Sequence, residues 1–401
     1  MLYRAATALA GGVMRAAGPL AGPVWRERMV LGATLPHPAG GIWIHGASVG
    51  ELTSARRIVA ALARERPVIV TANTITGRAV VRDWGLPARL APLDVPGAVG
   101  RFMDRYRPAV MVTVENEIWP SRAAAARARG VGQVVVGARL SERSAARWAK
   151  ARALIGPVLA GLDALSAQDE GSEARLVALG LPPAALMPRL QLKLLDPAAT
   201  PAPPDSAARD ATWLAASTHA GEDELVLDAF LSARAEVPGL RLILAPRHPQ
   251  RGDAVAALIA ARGLAVARRS AGDDLAAPVL LVDVLGEMGR WYDAAGICLT
   301  GGSLVDHGGH TPWEPAGHGC AILHGPHVGN AAADYAALDA AGAALRTEAG
   351  DLAVTVARLA ADPAAARAMG RRARDLLHDK AGDPAPLVGR ILALAAARSR
   401  A

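Results

Sequence analysis

Short apolar runs alternate along most of the chain with segments of helical periodicity, and this alternation restricts the fold more than any other feature. The runs have the length of strands and are bounded by glycine, proline or polar residues, which favours buried strands. They lie at 42–44, 68–71, 90–94, 109–114, 133–136, 212–216, 240–245, 279–282, 297–300 and 320–323. Strands joined by helical crossovers are parallel, so the pattern predicts doubly wound α/β sheets.

A proline-rich stretch divides the alternation into two halves. The chain has 401 residues, which is enough for two domains of ordinary size. Residues 196–209 show neither helical nor strand periodicity and are the best candidate for a linker. We therefore predict a first Rossmann-like domain over 31–195 and a second over 210–401 that ends in C-terminal helices. Their parallel sheets are expected to face each other across a cleft, with ligands at the carboxyl ends of the strands.

Composition narrows the expected partners and environment. Lys and Arg number 44 against 37 Asp and Glu, a net charge of +7, which favours anionic partners such as phosphates or an acidic membrane surface. No DNA- or RNA-reading motif is present, so we expect no nucleic-acid partner. Because only 3% of the residues are aromatic, the cores are expected to consist of Ala, Val and Leu. Cys298 and Cys320 lie in apolar runs and are predicted to be small core residues.

The N-terminal segment, residues 1–30, is apolar but interrupted by arginines, by a glycine pair and by two prolines. It is too broken for a clean spanning helix, which needs roughly 20 apolar residues. It also lacks a convincing secretory cleavage site. Two interpretations stay open: a cationic amphipathic segment that lies on a membrane, or a first helix that packs on the body of the protein.

Three glutamates at strand ends mark the first domain as a candidate catalytic domain. Glu51 stands where a helix begins, after a loop of small residues that includes Ser48 and Gly50. A helix N-terminus stabilises a carboxylate, so Glu51 is expected to be ionised and suited to act as a general base. Glu115 and Glu117 follow another apolar strand, where neighbouring acids are costly unless they have a role. For Glu51 alone, a merely favourable first-turn acid is the alternative.

The strand ends of the second domain are rich in arginine, histidine and glycine, which suits a ligand that contains phosphate. An arginine fork binds phosphate well, and glycine pairs let the backbone approach a ligand closely. The candidate residues are Ser217, Thr218, His219, Pro246, Arg247, His248, Leu285, Gly286, Glu287, Gly302, Ser303, Gly309, His310, Thr311, Pro312, Trp313 and Glu314. Solvated loop charges, a flexible loop and simple helix capping are the alternatives for these stretches.

Several common motifs are missing, and their absence excludes several kinds of binding site and catalytic site. Neither G-x-G-x-x-G after a strand nor G-x-x-x-x-G-K-[ST] occurs, so no dinucleotide or P-loop signature is present. H-E-x-x-H, a Cys/His cluster and D-x-D are absent as well. We therefore expect no metal and no cofactor.

Six motifs, in order over roughly residues 42–330, resemble those of one family, the 3-deoxy-D-manno-octulosonic acid (Kdo) transferases. Each motif alone is weak, but six in register are specific. They are Ser48-Val49-Gly50-Glu51, Glu115-Asn116-Glu117-Ile118-Trp119-Pro120, Ala138-Arg139-Leu140-Ser141-Glu142-Arg143-Ser144, Ser217-Thr218-His219, Pro246-Arg247-His248-Pro249, and Gly308-Gly309-His310 with Glu314-Pro315. The resemblance implies a GT-B fold with an acceptor-binding first domain and a CMP-Kdo-binding second domain. It also implies an inverting, metal-independent transfer of Kdo to the lipid A precursor of lipopolysaccharide.

The resemblance further implies roles for particular residues. Glu51 matches the general base that takes the proton from the 6′-hydroxyl of the acceptor. Glu115 and Lys193 match residues that stabilise the transition state. Contacts to CMP fall on Pro246, Arg247, Leu285, Gly286, Glu287, Thr311, Pro312, Trp313 and Glu314. The chain departs from the family at Thr311, where Asn is usual, and at Gln191, where a small polar residue is usual.

The implied partners are CMP-Kdo, the lipid A precursor (lipid IVA) and the cytoplasmic face of the inner membrane, on which the protein is peripheral or N-terminally anchored. Two other classes stay open. One is a GT-B glycosyltransferase or sugar-nucleotide enzyme that uses a different donor, such as a UDP-linked sugar. The other is a non-catalytic Rossmann-type binding protein.

Overall fold

Two parallel sheets carry the fold, and each belongs to a separate unit of the chain. The computed structural model describes residues 2–16, 22–32, 35, 37–115 and 119–399. The first unit comprises Met1–Leu195 together with Ala381–Ala401, and the second comprises Asp196–Lys380. The prediction of α/β architecture with two parallel sheets is confirmed.

The first unit is built on a six-stranded sheet. Its elements in chain order are α1 (Leu2–Ala16), α2 (Pro23–Arg28), β1 (Ile42–Gly46), α3 (Val49–Ser54), α4 (Arg56–Glu65), β2 (Val68–Ala72), α5 (Ile75–Asp83), β3 (Ala88–Leu90), α6 (Pro96–Tyr106), β4 (Val110–Val114), α7 (Pro120–Ala128), β5 (Gly132–Ala138), α8 (Glu142–Lys150), α9 (Arg152–Leu159), β6 (Ala164–Ala167) and α10 (Glu170–Ala178). The strand order is β3-β2-β1-β4-β5-β6, with all pairs parallel.

The second unit is built on a seven-stranded sheet. Its elements are α11 (Leu195–Ala198), α12 (Ala207–Asp210), β7 (Thr212–Thr218), α13 (Glu222–Glu236), β8 (Arg241–Pro246), α14 (Gly252–Ala261), β9 (Val266–Arg268), β10 (Val279–Leu281), α15 (Met288–Ala294), β11 (Ile297–Thr300), α16 (Trp313–Gly317), β12 (Ala321–His324), α17 (Ala332–Ala340), β13 (Ala344–Arg346), α18 (Leu352–Ala361) and α19 (Pro363–Ala381), and α20 (Ala385–Arg398) follows. The order is β13-β12-β11-β7-β8-β10-β9, again parallel throughout.

The central strands are buried on both faces, which is why they appear in the sequence as unbroken apolar runs. All five residues of β1 are buried, and Trp43 pairs in register with Ile69 of β2. Trp43 also packs on Phe102 of α6, with ring centroids 4.4 Å apart. The few aromatic residues thus concentrate in the cores, although the composition predicted cores of Ala, Val and Leu. The largest fully buried side chains include Trp43, Trp213, Trp291, Phe102, Phe230, Tyr106 and Tyr335.

Both cysteines lie in the core of the second unit, as predicted. Cys298 and Cys320 are fully buried and are free thiols. Burial raises the pKa of Cys298 well above its ordinary value and that of Cys320 to about 12. Both thiols therefore stay protonated and unreactive at neutral pH.

The C-terminal helix belongs to the first unit, which differs from the predicted second domain of 210–401. Residues 381–401 group with the first unit. Helix α20 packs on α4 and on strands β4, β5 and β6. Leu387 and Ile391 are buried in that contact. The alternation of strands and helices cannot reveal such a return of the chain, because the first sheet already shows a complete strand pattern.

The first helix packs on the body of the protein, which is one of the two interpretations of the N-terminal segment. Helix α1 contacts α6, and the Tyr3 hydroxyl donates a hydrogen bond of 3.0 Å to the Asp94 carboxylate. Its Leu9 side chain is 75% exposed. Among the described residues, no helix combines the length and apolar character needed to cross a membrane.

Gly137 in β5 lets a later segment reach the carboxyl edge of the first sheet. Its φ is +62°, and a Cβ there would lie 2.5 Å from Cγ of Leu192. Leu192 begins the 3-10 turn Leu192–Leu194 that carries Lys193, and this turn also contacts α3. The absence of a side chain at Gly137 therefore positions Lys193 at that edge.

We expect Gly137→Ala to lower the free energy of unfolding of the first unit by about 2–5 kcal/mol. The left-handed conformation costs an L-residue about 1–2 kcal/mol, and overpacking against Leu192 adds about 1–3 kcal/mol. Gly85→Ala is the matched control, because Gly85 has φ +77° but open space around its Cα. Urea unfolding of both variants, followed by circular dichroism, measures the difference. Equal losses of stability would contradict the proposed contact.

Candidate functional site

Glu51 is held at the start of α3, directly beyond the carboxyl end of β1. Ser48 is the N-cap of α3, and its hydroxyl accepts a hydrogen bond of 3.2 Å from the Glu51 N–H. The Glu51 carboxylate in turn accepts bonds from the Ala47 N–H at 2.6 Å and from the Ser48 hydroxyl at 3.3 Å. This reciprocal arrangement resembles a capping box, and it fixes the direction of the carboxylate. Gly50 lies in the first turn of the same helix.

Glu115 and Lys193 lie at the same edge of the first sheet as Glu51. Glu115 follows β4, the neighbour of β1, and its N–H donates a 2.9 Å bond to the Val136 carbonyl oxygen. Its φ of +56° is uncommon for a residue other than glycine and marks a position worth explaining by function. The Lys193 side chain is exposed in the turn that contacts both β5 and α3. Glu117, the third predicted acid, lies outside the described residues.

In the second unit, the buried carboxylate of Glu222 organises two loops at the carboxyl edge. Glu222 begins α13 and is fully buried. One carboxylate oxygen accepts from the N–H groups of His219 at 2.9 Å and Gly302 at 2.7 Å. The other accepts from Ser303 at 3.0 Å and Leu304 at 2.9 Å. The turn after β7 and the glycine loop after β11 are thereby fixed against each other.

Four histidines cluster above this carboxylate. The ring of His219 stacks on His307 and His310, with centroids 4.2 and 5.2 Å away, and meets His248 edge-on at 6.1 Å. The Nε2 atoms of His219 and His310 are 3.0 Å apart, so one must donate a proton to the other. His307 was not among the predicted residues; its signal was its place between the two glycine pairs of the 301–309 loop. Within the described residues no group of histidine, cysteine or acidic side chains has metal-site geometry.

Burial lowers the pKa of both His219 and His310. For His219, the neighbouring His307, His248 and Arg251 act in the same direction, and for His310 so do His219, Arg247 and His307. Glu222 opposes the shift in both cases. Both imidazoles are therefore neutral near neutral pH, and the shared Nε2 contact requires that one of the two Nε2 atoms carries no proton.

These shifts predict that acid weakens the second unit. As pH falls below about 6.5, the two imidazoles bind protons in the unfolded chain before they do so in the folded one. At higher pH the free energy of unfolding therefore does not depend on the protonation of His219 and His310. It falls as the pH drops towards the pKa values that these two histidines have in the folded protein. We expect His310→Gln to show a smaller loss of Tm on acidification than the wild type. His378→Gln, at an exposed position of α19, is the control. Identical pH profiles for His310→Gln and the wild type would contradict this account.

The two arginines after β8 have different roles. Arg251 forms an ion pair with the buried carboxylate of Asp223 and donates a 3.2 Å bond to the Thr218 carbonyl oxygen. Asp223 also accepts a 2.6 Å bond from the Thr218 hydroxyl. The Arg247 side chain is exposed, while its N–H is bonded to the Thr218 carbonyl oxygen at 2.9 Å. Arg247 is thus available to bind an anion, whereas Arg251 stabilises the carboxyl edge of the second sheet.

The remaining predicted residues separate into those open to a ligand and those inside the protein. Leu285 is 74% exposed, and Thr311 and Glu314 are exposed as well. Pro246, Pro312 and Trp313 are buried, so they shape the edge from within. Glu287 is paired with Arg269, whose hydrogen bond lowers the pKa of that carboxyl group.

Gly286 and Glu314 line one pocket of about 360 Å³ in the second unit. Asp196, Tyr292 and His318 contribute further polar groups to its wall. The Tyr292 hydroxyl donates to the Glu314 carboxylate at 3.4 Å. The donor stretches predicted around 285–287 and 311–314 therefore meet at one concave surface.

Comparison with solved structures shows the class of fold. The UDP-GlcNAc 2-epimerase of Neisseria meningitidis, solved with UDP-GlcNAc, aligns over 84% of this chain and 98% of that one, at 12% identity and a TM-score of 0.52. MurG of Acinetobacter baumannii aligns over 88% of this chain and 99% of that one, at 14% identity and a TM-score of 0.50. The chain thus has the predicted α/β, GT-B fold with two Rossmann-like domains.

Sequence comparison identifies the family. The model of the 3-deoxy-D-manno-octulosonic-acid transferase (kdotransferase) family matches residues 24–194. The 3-deoxy-D-manno-octulosonic acid transferase of Bordetella pertussis is 38% identical over 86% of this chain and 85% of its own length. That of Haemophilus influenzae is 33% identical over 77% of each chain. The chain therefore belongs to the Kdo transferase family of glycosyltransferases, as its motifs predicted.

Proposed function

We propose that the protein transfers Kdo from CMP-Kdo to the 6′-hydroxyl of a lipid A precursor, lipid IVA, with inversion at the anomeric carbon and without a metal or cofactor. Membership of the Kdo transferase family supports the sugar and the type of reaction. The observation that carries the proposal is the fixed carboxylate of Glu51 at the carboxyl edge of the first sheet.

In this mechanism Glu51 accepts the proton of the acceptor hydroxyl while the hydroxyl oxygen attacks the anomeric carbon of Kdo. A base acts well only when its direction is set beforehand, and the Ala47 N–H and the Ser48 hydroxyl set that direction. Attack opposite the leaving group inverts the anomeric carbon in one displacement. Glu115 and Lys193, at the same edge, stabilise the charge that develops during the displacement.

The donor is proposed to bind at the carboxyl edge of the second sheet. Its anionic CMP would lie near the exposed guanidinium of Arg247, beside the glycine loop after β11. The pocket lined by Gly286 and Glu314 would hold a neutral, hydroxyl-bearing part of the donor. The positive charge of Arg247 would offset the negative charge of the leaving phosphate, which is the task that a metal performs in other transferases.

The protein is proposed to work at the cytoplasmic surface of the inner membrane, where its acceptor resides. Its net charge of +7 favours an anionic surface. The exposed Leu9 of α1 and the arginines of the N-terminal segment support a peripheral association in which α1 rests on the membrane while packing on α6.

A transfer assay with CMP-Kdo generated in situ and lipid IVA tests the proposal. We expect a Kdo-lipid product in the presence of EDTA, at a rate within about twofold of the rate in buffer alone, since no step uses a metal. CMP is expected to raise the Tm of the protein, whereas UDP and UDP-sugars are not. Absence of product from the wild-type protein would contradict the proposed function. Stabilisation by a UDP-sugar alone would favour another GT-B glycosyltransferase.

A further inference from the structure

Exposed apolar side chains lie on one side of Glu51. Val49 and Ile75 are the first residues of α3 and α5, the helices that follow the neighbouring strands β1 and β2. Their exposed fractions are 36% and 55%, whereas most large apolar side chains of the first unit are buried. The two helices contact each other, so these side chains border one surface, which we name the apolar flank.

A third exposed apolar residue extends the apolar flank. Val24 in α2 is 42% exposed. Helix α2 is attached to this corner because Glu27 forms an ion pair with Arg78 of α5, and Arg28 donates to the Asn73 carbonyl oxygen just beyond β2. Of the four large apolar side chains that are exposed in the described part of the first unit, three therefore lie on the apolar flank.

A row of cations lies on the other side. Arg143, Arg147 and Lys150 are exposed on α8 at spacings of four and three residues, which places them on one face of the helix. Trp148 and Ala145, on a different face, pack against the core. No ion pair to the three cations occurs in the described part of the chain, and the nearby Glu142 lies 3.9 Å from Arg175 instead. We name this row the cationic stripe.

The strand order fixes where these two surfaces lie relative to the candidate base. Helices α5 and α3 follow β2 and β1, while α8 follows β5. Between them lie the ends of β1 and β4, which carry Glu51 and Glu115. The apolar flank includes Val49 on α3, which follows β1, and β1 and β5 are two strand spacings apart. The nearest strands that carry the two surfaces are therefore about 10 Å apart. An apolar surface, two carboxylates and a cationic surface thus follow one another along one edge.

We propose that this edge orients an amphiphilic acceptor, with its hydrocarbon part on the apolar flank and its phosphate on the cationic stripe, so that the hydroxyl between them meets Glu51. The inference rests on the proposed function and adds the residues that determine acceptor specificity. A neutral sugar would gain no binding free energy from the cationic stripe, and a soluble sugar phosphate would gain none from the apolar flank. Only a phosphorylated lipid satisfies both surfaces.

The test measures two selectivity ratios in detergent micelles, each as a ratio of kcat/KM values. The first ratio compares the phosphorylated acceptor with the same lipid after removal of its phosphates. The second compares the acylated acceptor with its fully deacylated form. The variants are Arg143→Gln/Arg147→Gln/Lys150→Gln for the cationic stripe and Val49→Gln/Ile75→Gln for the apolar flank. Both leave Glu51 and Glu115 in place.

In the cationic-stripe variant we expect the kcat/KM ratio of phosphorylated to dephosphorylated acceptor to fall at least about tenfold. The ratio of acylated to deacylated acceptor is expected to stay unchanged. The flank variant is expected to show the reverse. Controls carry the same changes elsewhere: Arg64→Gln/Arg371→Gln/Arg390→Gln at exposed cations, and Leu231→Gln/Val354→Gln at exposed apolar positions. Unchanged ratios in both test variants, or equal losses in the controls, would overturn the inference.

A binding measurement separates this inference from the proposed function. Equilibrium binding of the same three acceptors (intact, dephosphorylated and deacylated) to the full chain without a donor gives the same two selectivity ratios as ratios of Kd. If the wild-type protein forms no Kdo-lipid, the proposed function fails, and the Kd ratios still decide the orientation. If instead the wild type forms product while the stripe and flank variants leave both the kcat/KM ratios and the Kd ratios unchanged, only the proposed orientation of the acceptor is contradicted.

Discussion

Glu51→Gln is expected to lower kcat for Kdo transfer by about 10²–10⁴-fold, the usual contribution of a positioned general base. Glutamine keeps the shape of the side chain and one acceptor oxygen for the Ala47 N–H or the Ser48 hydroxyl. It cannot, however, accept the proton of the acceptor hydroxyl at neutral pH. The KM for the lipid and the affinity for CMP are expected to stay within about twofold, since the proton transfer affects only the transition state.

Ser48→Ala separates this catalytic effect from the capping role of the same loop. It removes the N-cap of α3, which costs about 1 kcal/mol of stability, but it leaves the carboxylate and its bond from the Ala47 N–H. We therefore expect a lower Tm with most of the activity retained. Steady-state kinetics and calorimetry on both variants make the comparison. Full activity of Glu51→Gln would exclude Glu51 as the base.

Glu222→Gln is expected to lower the free energy of unfolding of the second unit by about 2–6 kcal/mol. The carboxylate is buried and accepts four backbone N–H groups, two on each oxygen. A glutamine amide can replace only one of the two oxygens, so its NH₂ group faces two buried N–H donors. Each donor left without an acceptor costs about 1–3 kcal/mol.

Differential scanning calorimetry measures the loss, and CMP titration measures its effect on the donor site. Because Glu222 joins the turn after β7 to the loop after β11, we expect CMP affinity to fall together with Tm. Glu236→Gln, at an exposed position of the same helix, is the control and should change neither. A Tm for Glu222→Gln equal to that of the control would show that the two loops do not depend on this carboxylate.

The sequence predicted the parallel sheets well because their central strands are buried on both faces. The strands it did not predict, β6, β9 and β13, are three or four residues long. All three are edge strands, and none has a long apolar run. The helix predicted to begin at Glu51 consists of two helices, α3 and α4, which meet at Ala55. Helical periodicity continues across such a junction, so it could not reveal the break.

The candidate site could be predicted in part for a similar reason. Strand-terminating residues such as Glu51, Glu115 and Arg247 are visible because polar residues end apolar runs. Ser217, Thr218 and His219 are visible as polar residues at a strand end. The four N–H bonds to Glu222 are not, since two loops that are about 80 residues apart must meet first. The stacking of His307 on His219 has the same origin.

The return of α20 to the first unit has a consequence for the order of events during synthesis. Residues 1–195 leave the ribosome early, yet the helix that covers β4, β5 and β6 is translated last. Until then, the sheet surface that Leu387 and Ile391 bury stays open. The first unit, which carries Glu51, therefore reaches its final stability only after translation of the second unit is complete.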